Sequence, residues 1–161
     1  PYLGGERAPI WDADARGSFF GLTRQHTRAH MVRAALEGIV YNLYMVMLMI
    51  EGVTGKPQRI PATGGFARSE LWRQMLADVF EQDVTIPESF ESSCLGDDLS
   101  AVKEMIGVTN VHHPQTANFE VYRELIPIWI RLTRELSPEY SAIADFQRKH
   151  MQIDTTIEDR H

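Results

Sequence analysis

The sequence is organised around one stretch, RIPATGGFARSELW, at residues 59–72. It predicts a strand, a Gly-Gly turn and the first turn of a helix. Gly64 and Gly65 can adopt backbone angles closed to other residues, and they let a ligand approach the main chain. Ser69 is a good N-cap, followed by the acid Glu70. Unpaired N–H groups at such a helix start suit a phosphate or the polar edge of a nucleotide, although an ordinary strand-turn-helix connection has the same pattern.

The elements around this stretch predict an α/β fold. Upstream, apolar residues at helical spacing predict a long helix from Thr27 to about Gly52, buried inside the protein. Downstream, the pattern predicts a helix over 69–80, a short strand over 83–86 closed by Pro87, and a helix near 95–106. Strands that alternate with helices are typical of the α/β class.

The two ends of the chain are less regular. Residues 1–22 are turn-rich, and Phe19 and Phe20 predict a short buried strand or a tight approach to the core. Residues 107–117 are predicted to be a loop. Asn118 is expected to cap a helix that runs to about Leu136, and a further helix is expected from Ser137-Pro138 to near residue 151.

Composition excludes several classes of protein. The 161 residues are 43% hydrophobic and 24% charged, as in one soluble domain or part of a larger one. The net charge is −6 and no basic run appears, so we expect no nucleic-acid partner. The longest apolar run, residues 39–50, is too short to span a bilayer, so no membrane is expected. The single cysteine, Cys94, fits a reducing cytoplasm. The start, without Met or an apolar leader segment, predicts a fragment.

Two other groups of residues are candidate sites. Glu6 and Arg7 lie in an irregular segment, where an acid and a guanidinium could orient a polyol or phosphate substrate. The alternative is a local salt bridge that fixes the loop. His26 and His30 have i, i+4 spacing, but no further ligand is placed nearby, so we expect capping and packing, and no metal site.

Two longer patterns resemble the C-terminal part of the FGGY family of carbohydrate kinases. The first is GSFFGL at 17–22, with HM at 30–31 and AALE at 34–37. The second runs from TGG at 63–65 through Ser69, Trp72 and Gln74 to LG at 95–96, and it resembles the adenosine-binding segment of the family. Within the family, ERAPIWD at 6–12 and the segment 113–128 are most similar to gluconate kinases.

This resemblance implies part of an actin-like, ribonuclease H-like ATPase domain, here as a helix-rich fragment. Residues 1–151 would form a partial C-terminal kinase domain, and 152–161 a polar tail. Such kinases bind ATP, with Mg²⁺, and a sugar between two domains, and they transfer the γ-phosphoryl group to a sugar hydroxyl. By resemblance, Gly64, Gly65 and Ser69 contact the adenosine. The implied partners are gluconate or a related sugar and an N-terminal kinase domain.

The chain departs from the family pattern in two ways. The catalytic aspartate of the family lies upstream of this chain, and neither Asp12 nor Asp14 is assigned that role. Asp97 and Asp98 stand where the family has small residues after Leu-Gly. We therefore expect a cytoplasmic gluconate-type kinase fragment that is inactive alone and self-associates through uncovered apolar surface. The alternatives are a pentulose (xylulose-type) kinase and a non-catalytic nucleotide-binding or interaction module.

Overall fold

The computed structural model describes residues 1–57, 59–87 and 108–150. In chain order its elements are α1 (Arg28–Thr54), β1 (Arg59–Pro61), α2 (Gly65–Arg68), α3 (Glu70–Phe80), β2 (Asp83–Pro87), β3 (Val108–His112) and α4 (Thr116–His150). The predicted helix over 95–106, the predicted tail, Cys94 and the Asp97-Asp98 pair lie outside the described residues.

The three strands form one sheet in the order β1-β2-β3. β1 and β2 run parallel, with Ile60 opposite Val84. β2 and β3 run antiparallel, with Thr85 opposite Val111. The predicted loop over 107–117 is therefore wrong in its first half, because residues 108–112 pair with β2 and gain ladder hydrogen bonds that a local pattern does not reveal.

The helix α3 lies at the centre of the core. It contacts α1, α4 and the strands β2 and β3. Its residues 75–80 are all buried, and Met75 is 1% exposed. Of its predicted apolar stripe, Met75, Leu76 and Val79 are buried, whereas Leu71 is 46% exposed. Side chains from α1 and α4 complete this cluster, among them Val40, Tyr41, Tyr122 and Ile126.

The helix α1 has the predicted bounds but not the predicted burial. Its C-cap Gly55 has φ +82°, and the Gly55 N–H donates to the Glu51 carbonyl at 2.9 Å. In the described part of the chain, its buried residues are Gly38, Val40 and Tyr41. By length and composition α1 could cross a bilayer, but core helices of soluble proteins also meet that criterion. We call five exposed apolar residues that share one side of α1 the α1 stripe: Val32, Ile39, Leu43, Ile50 and Val53.

The helix α4 is continuous where the sequence predicts two helices. It spans Thr116–His150 with Pro127 and Pro138 inside it. Each proline removes a backbone donor and disfavours a helix interior. The prediction is wrong because α4 is held by tertiary packing: residues buried along its length are Tyr122, Ile126, Thr133, Tyr140 and Ala144. The predicted cap at Asn118 is also wrong, since the helix starts two residues earlier.

The N-terminal segment packs across α1 and α4. The Tyr2 ring lies 6.4 Å from the Trp129 ring and 6.2 Å from the Tyr140 ring, centroid to centroid. At the far end of α4, Arg16 Nε donates to Gln147 Oε1 at 2.8 Å. The predicted burial of Phe19 and Phe20 is wrong: their side chains are 49% and 71% exposed. No strand forms among described residues 17–22.

Candidate functional site

The Gly-Gly turn joins β1 to the helical residues that follow. The Ala62 N–H donates to the Thr85 carbonyl at 2.8 Å, so the turn begins directly at the end of the sheet. Gly64 has φ +63°, a left-handed conformation that favours glycine. A Cβ built on Gly64 or Gly65 would meet no heavy atom within 4 Å. The space above this backbone is therefore open, as a close ligand approach requires.

Ser69 caps α3 as the sequence predicts. Its backbone is extended, with φ −111° and ψ 117°, and its Oγ accepts the Trp72 N–H at 3.5 Å. Glu70 follows in the first turn, where a negative charge favours the helix dipole. A hydroxyl that accepts a capping bond keeps its own hydrogen to donate. The half-buried Ser69 can thus cap the helix and also bind a ligand at the turn.

Arg73 links this turn to the sheet. Its Nη1 donates to the Ala67 carbonyl in α2, and its Nε donates to His112 Nε2 at 2.9 Å at the end of β3. Burial lowers the pKa of His112, and the nearby positive charge of Arg73 lowers it further. Sequence reasoning missed this contact because no local signal connects an arginine on α3 with a histidine 39 positions away.

Asp78 fixes the connection from β3 to α4. Its carboxylate is 1% exposed. It accepts the Gln115 N–H at 2.8 Å, the Asn118 side-chain amide at 2.7 Å and the Gln74 amide at 2.9 Å. Gln74 also donates to the His113 carbonyl at 3.0 Å. These bonds satisfy the buried carboxylate and hold the connection from β3 to α4 against α3.

Glu6 and Arg7 lie in a separate loop. The Glu6 N–H donates to the Asp12 carbonyl at 2.8 Å and the Asp12 N–H donates back at 2.9 Å, which closes residues 6–12. Glu6 Oε1 accepts the Arg7 backbone N–H at 2.9 Å. In residues 1–57, 59–87 and 108–150, Glu6 and Arg7 form no ion pair with each other. The predicted alternative, a salt bridge between their side chains, is therefore wrong, and the Glu6 carboxylate binds the Arg7 backbone instead.

The structure does not join this loop to the Gly-Gly turn. Within the described ranges, no hydrogen bond or ion pair connects Glu6 or Arg7 with Gly64, Gly65 or Ser69. Two carboxylates, one at the end of the loop and one just after it, have structural roles. Asp12 Oδ1 accepts the Asp14 N–H at 2.8 Å, and Asp14 pairs with Arg148 at 2.6 Å.

The histidines His26 and His30 lie on either side of the start of α1. His30 Nδ1 accepts the Thr27 N–H at 3.0 Å, and His26 Nδ1 accepts the Thr23 N–H at 2.9 Å. The two rings pack edge to face, 5.8 Å apart. The predicted capping and packing are confirmed. Among the residues that the structure describes, no group of three or more His, Cys, Asp or Glu side chains could hold a metal.

An apolar cavity adjoins the Gly-Gly turn. Its volume is about 390 Å³, and it lies between α1, β1 and α3. Its apolar part is lined by Leu43, Ile60, Leu76 and Phe80. Thr63, at the start of the turn, also lines it. The cavity therefore continues the apolar surface of α1 as far as the candidate site.

Comparison with protein families identifies the chain's relatives. The C-terminal domain of the FGGY family of carbohydrate kinases matches residues 1–104. The chain belongs to this family. It is 54% identical over 161 residues to the gluconokinase of Bacillus subtilis (strain 168), covering 92% of this chain and 31% of that relative.

Solved structures of the family share the fold. The gluconate kinase from Lactobacillus acidophilus matches 89% of this chain and 32% of its own chain, with a TM-score of 0.81 and 37% identity. The ligand-bound xylulose kinase from the same organism matches with a TM-score of 0.80 and the same identity and coverage. The predicted fold class, a helix-rich α/β fragment of an actin-like, ribonuclease H-like domain, is confirmed. The chain spans about a third of the length of these relatives.

Proposed function

We propose that this chain is the nucleotide-binding, C-terminal part of a gluconate kinase. One observation carries the proposal: in a chain of this family, the backbone at Gly64 and Gly65 is exposed, left-handed at Gly64 and open to a close ligand. A β-carbon would occupy the space that an adenosine needs. The full protein transfers the γ-phosphoryl group of ATP to a hydroxyl of gluconate.

Each residue of the site has a proposed role. The main chain of Gly64 and Gly65 contacts the adenosine, and Ser69 donates its hydroxyl hydrogen to the nucleotide while capping α3. Mg²⁺, bound with the nucleotide, neutralises charge on the transferring phosphoryl group. Glu6 and Arg7 contact the sugar acid, since the exposed Arg7 guanidinium suits a carboxylate. The general base and the remaining sugar contacts come from the upstream part of the protein, including its N-terminal domain.

The degree of identity favours gluconate as the acceptor. The chain is 54% identical to a gluconokinase but 30% identical to the xylulose kinase of Staphylococcus epidermidis (strain ATCC 12228 / FDA PCI 1200), over 161 residues in both cases. The structural likeness to gluconate and xylulose kinases is nearly equal. A pentulose kinase is therefore the second candidate. Both candidates work where ATP and Mg²⁺ are supplied, in the cytoplasm.

A screen of the full-length protein tests the acceptor. We expect phosphorylation of gluconate with Mg-ATP at a higher kcat/KM than of xylulose or glycerol. A higher kcat/KM for xylulose than for gluconate would contradict a gluconate kinase and favour the pentulose kinase. The absence of phosphorylation with all sugar and sugar-acid acceptors would contradict a kinase and favour a non-catalytic module. Calorimetric titration with ATP would then show whether that module binds nucleotide.

Substitution at the turn tests the nucleotide site. Gly65→Ala places a methyl group in the open space, so we expect the KM for ATP to rise about tenfold, which corresponds to about 1.4 kcal/mol, with an unchanged thermal midpoint. Gly52→Ala is the matched control, because a Cβ on Gly52 in α1 also meets nothing within 4 Å. Equal KM values for ATP in the two variants would contradict the assignment.

A further inference from the structure

The Gly-Gly turn has few anchors of its own. Gly64 and Gly65 carry no side chains, and Thr63 is exposed. The helical segment α2 has only four residues, and the last carbonyls of a helix have no partner within it. On the β1 side, the turn is fixed by the Ala62 N–H to the Thr85 carbonyl. On its other side the Ala67 carbonyl is the acceptor that needs an outside donor.

Arg73 supplies that donor from the second turn of α3. Its guanidinium donates Nη1–H to Ala67, which is 1% exposed, and Nε–H to His112 Nε2. A guanidinium presents its donors in a rigid planar fork, so it fixes two acceptors relative to each other. The end of α2 is thereby held at a defined distance from the end of β3. The turn lies between this fixed point and the sheet.

His112 completes the link in its neutral form. A ring nitrogen that accepts a hydrogen bond carries no proton, so the neutral ring has its hydrogen on Nδ1. The burial that lowers the pKa of His112 favours this form. The ionisable groups that face it are Arg73 and Glu70 on α3, and His113 beside it, whose Nδ1 lies 2.7 Å from Asp83 Oδ1 of β2.

We propose that Arg73 is a positioning residue for the nucleotide site: it holds the Gly-Gly turn in its open conformation by joining Ala67 to His112. This inference rests on the proposed nucleotide-binding role of the turn. Arg73 acts through the Ala67 carbonyl, and the backbone of the turn makes the contacts with adenosine. Loss of the link frees α2 from β3 but leaves the apolar core of α3 in place.

Kinetics of the full-length kinase test the role of Arg73 in nucleotide binding. Arg73→Met keeps the apolar stem and removes the donors. We expect the KM for ATP to rise about five- to tenfold, as for loss of hydrogen bonds from a charged donor, with the KM for gluconate within about twofold of wild type. Arg73→Lys, which can reach one acceptor, should restore part of the affinity. His112→Gln keeps an acceptor and should stay nearer to wild type than His112→Leu.

A control arginine on α4 separates positioning from general stability. Arg123 makes two hydrogen bonds of 2.6 Å to Glu81, directly after α3, and in the described part of the chain it makes none to residues 63–69. Arg123→Met should leave the KM for ATP unchanged. If Arg73→Met raises both KM values together with a matching fall in the thermal midpoint, or if Arg123→Met has the same effect as Arg73→Met, Arg73 is merely structural and the proposal is overturned.

Hydrogen exchange tests the link without relying on activity. In the full-length protein, Arg73→Met should speed amide exchange in residues 63–69 while exchange in residues 75–80 stays slow. Unchanged exchange in residues 63–69 would overturn the proposal at any level of activity. A wild-type protein that phosphorylates no sugar and binds no ATP would refute the proposed function, and the exchange result would then still decide whether Arg73 holds the turn.

Discussion

The helices α1 and α3 both carry apolar residues at helical spacing, but their surroundings are very different. α3 has 11 residues, and six consecutive ones, 75–80, are buried. α1 has 27 residues, and in the described part of the chain three are buried. Periodicity predicts a helix and its apolar side, but the cover over that side comes from the rest of the fold. Because the chain spans about a third of its relatives' length, we expect the α1 stripe to pack against other parts of the protein.

The largest difference should appear on truncating a methionine in each helix. Met75 on α3 is 1% exposed and Met49 on α1 is 56% exposed. Met75→Ala leaves a cavity in the core and should lower the free energy of unfolding by about 2–5 kcal/mol. Met49→Ala should change it by less than about 0.5 kcal/mol. Urea unfolding of both variants measures the two values, and similar losses would refute the contrast between the helices.

Polar contacts should repeat the contrast at a smaller scale. Asp78→Ala on α3 leaves the Gln115 N–H and the Asn118 amide without their buried acceptor, so we expect a loss of about 1–3 kcal/mol. Glu37 on α1 accepts from Arg33 at 2.7 Å and Tyr122 at 2.9 Å, but the Arg33 side chain is 42% exposed. Glu37→Ala should therefore cost less, about 1 kcal/mol or below. The opposite ranking in urea unfolding would remove Asp78 from its central role.

The sequence predicts those features of this molecule that depend on residues adjacent along the chain. The cap at Ser69, the glycine at the left-handed position 64 and the approximate end of α1 all follow from local backbone chemistry. Contacts across the fold do not. The Asp78 carboxylate meets Asn118 40 positions away, and α4 continues through Pro138 because tertiary packing outweighs local preference.

The candidate site divides in the same way. Gly64, Gly65 and Ser69 follow from their own segment and from the family resemblance, whereas the Arg73 link needs β3, which local patterns identify as a loop. Glu6 and Arg7 remain predictions, since no hydrogen bond or ion pair joins their loop to the turn in the described residues. Testing their proposed place beside a substrate requires the full-length protein.

The α1 stripe should make the isolated 161-residue chain self-associate. Exposed apolar residues at helical spacing form a continuous patch, of the kind that monomeric proteins rarely leave uncovered. Val53 is 88% exposed. Val53→Glu together with Ile50→Glu should shift the chain towards monomer with little change in its fold, as measured by light scattering and circular dichroism. A monomeric wild-type chain would show that the stripe needs no partner.

The smallest expected effect is a pH dependence at the edge of α3. In the folded chain the pKa of His112 lies below its ordinary value of 6.5, chiefly through burial and then through Arg73. The unfolded chain therefore takes up this proton more readily than the folded one. The contribution of His112 is fully present above pH 6.5 and is lost as the pH falls from 6.5 through the lower, folded pKa. Protonation also removes the acceptor that Arg73 uses.

The variant His112→Gln isolates this effect, because glutamine keeps an acceptor but does not titrate in this range. We expect the difference in unfolding free energy between wild type and His112→Gln to be constant above pH 6.5 and to shift against wild type below it. Urea unfolding at pH 5 to 8 measures that difference. A shift of opposite sign would mean that protonated His112 is favoured in the folded state, which is incompatible with a neutral ring accepting from Arg73 near the start of α3.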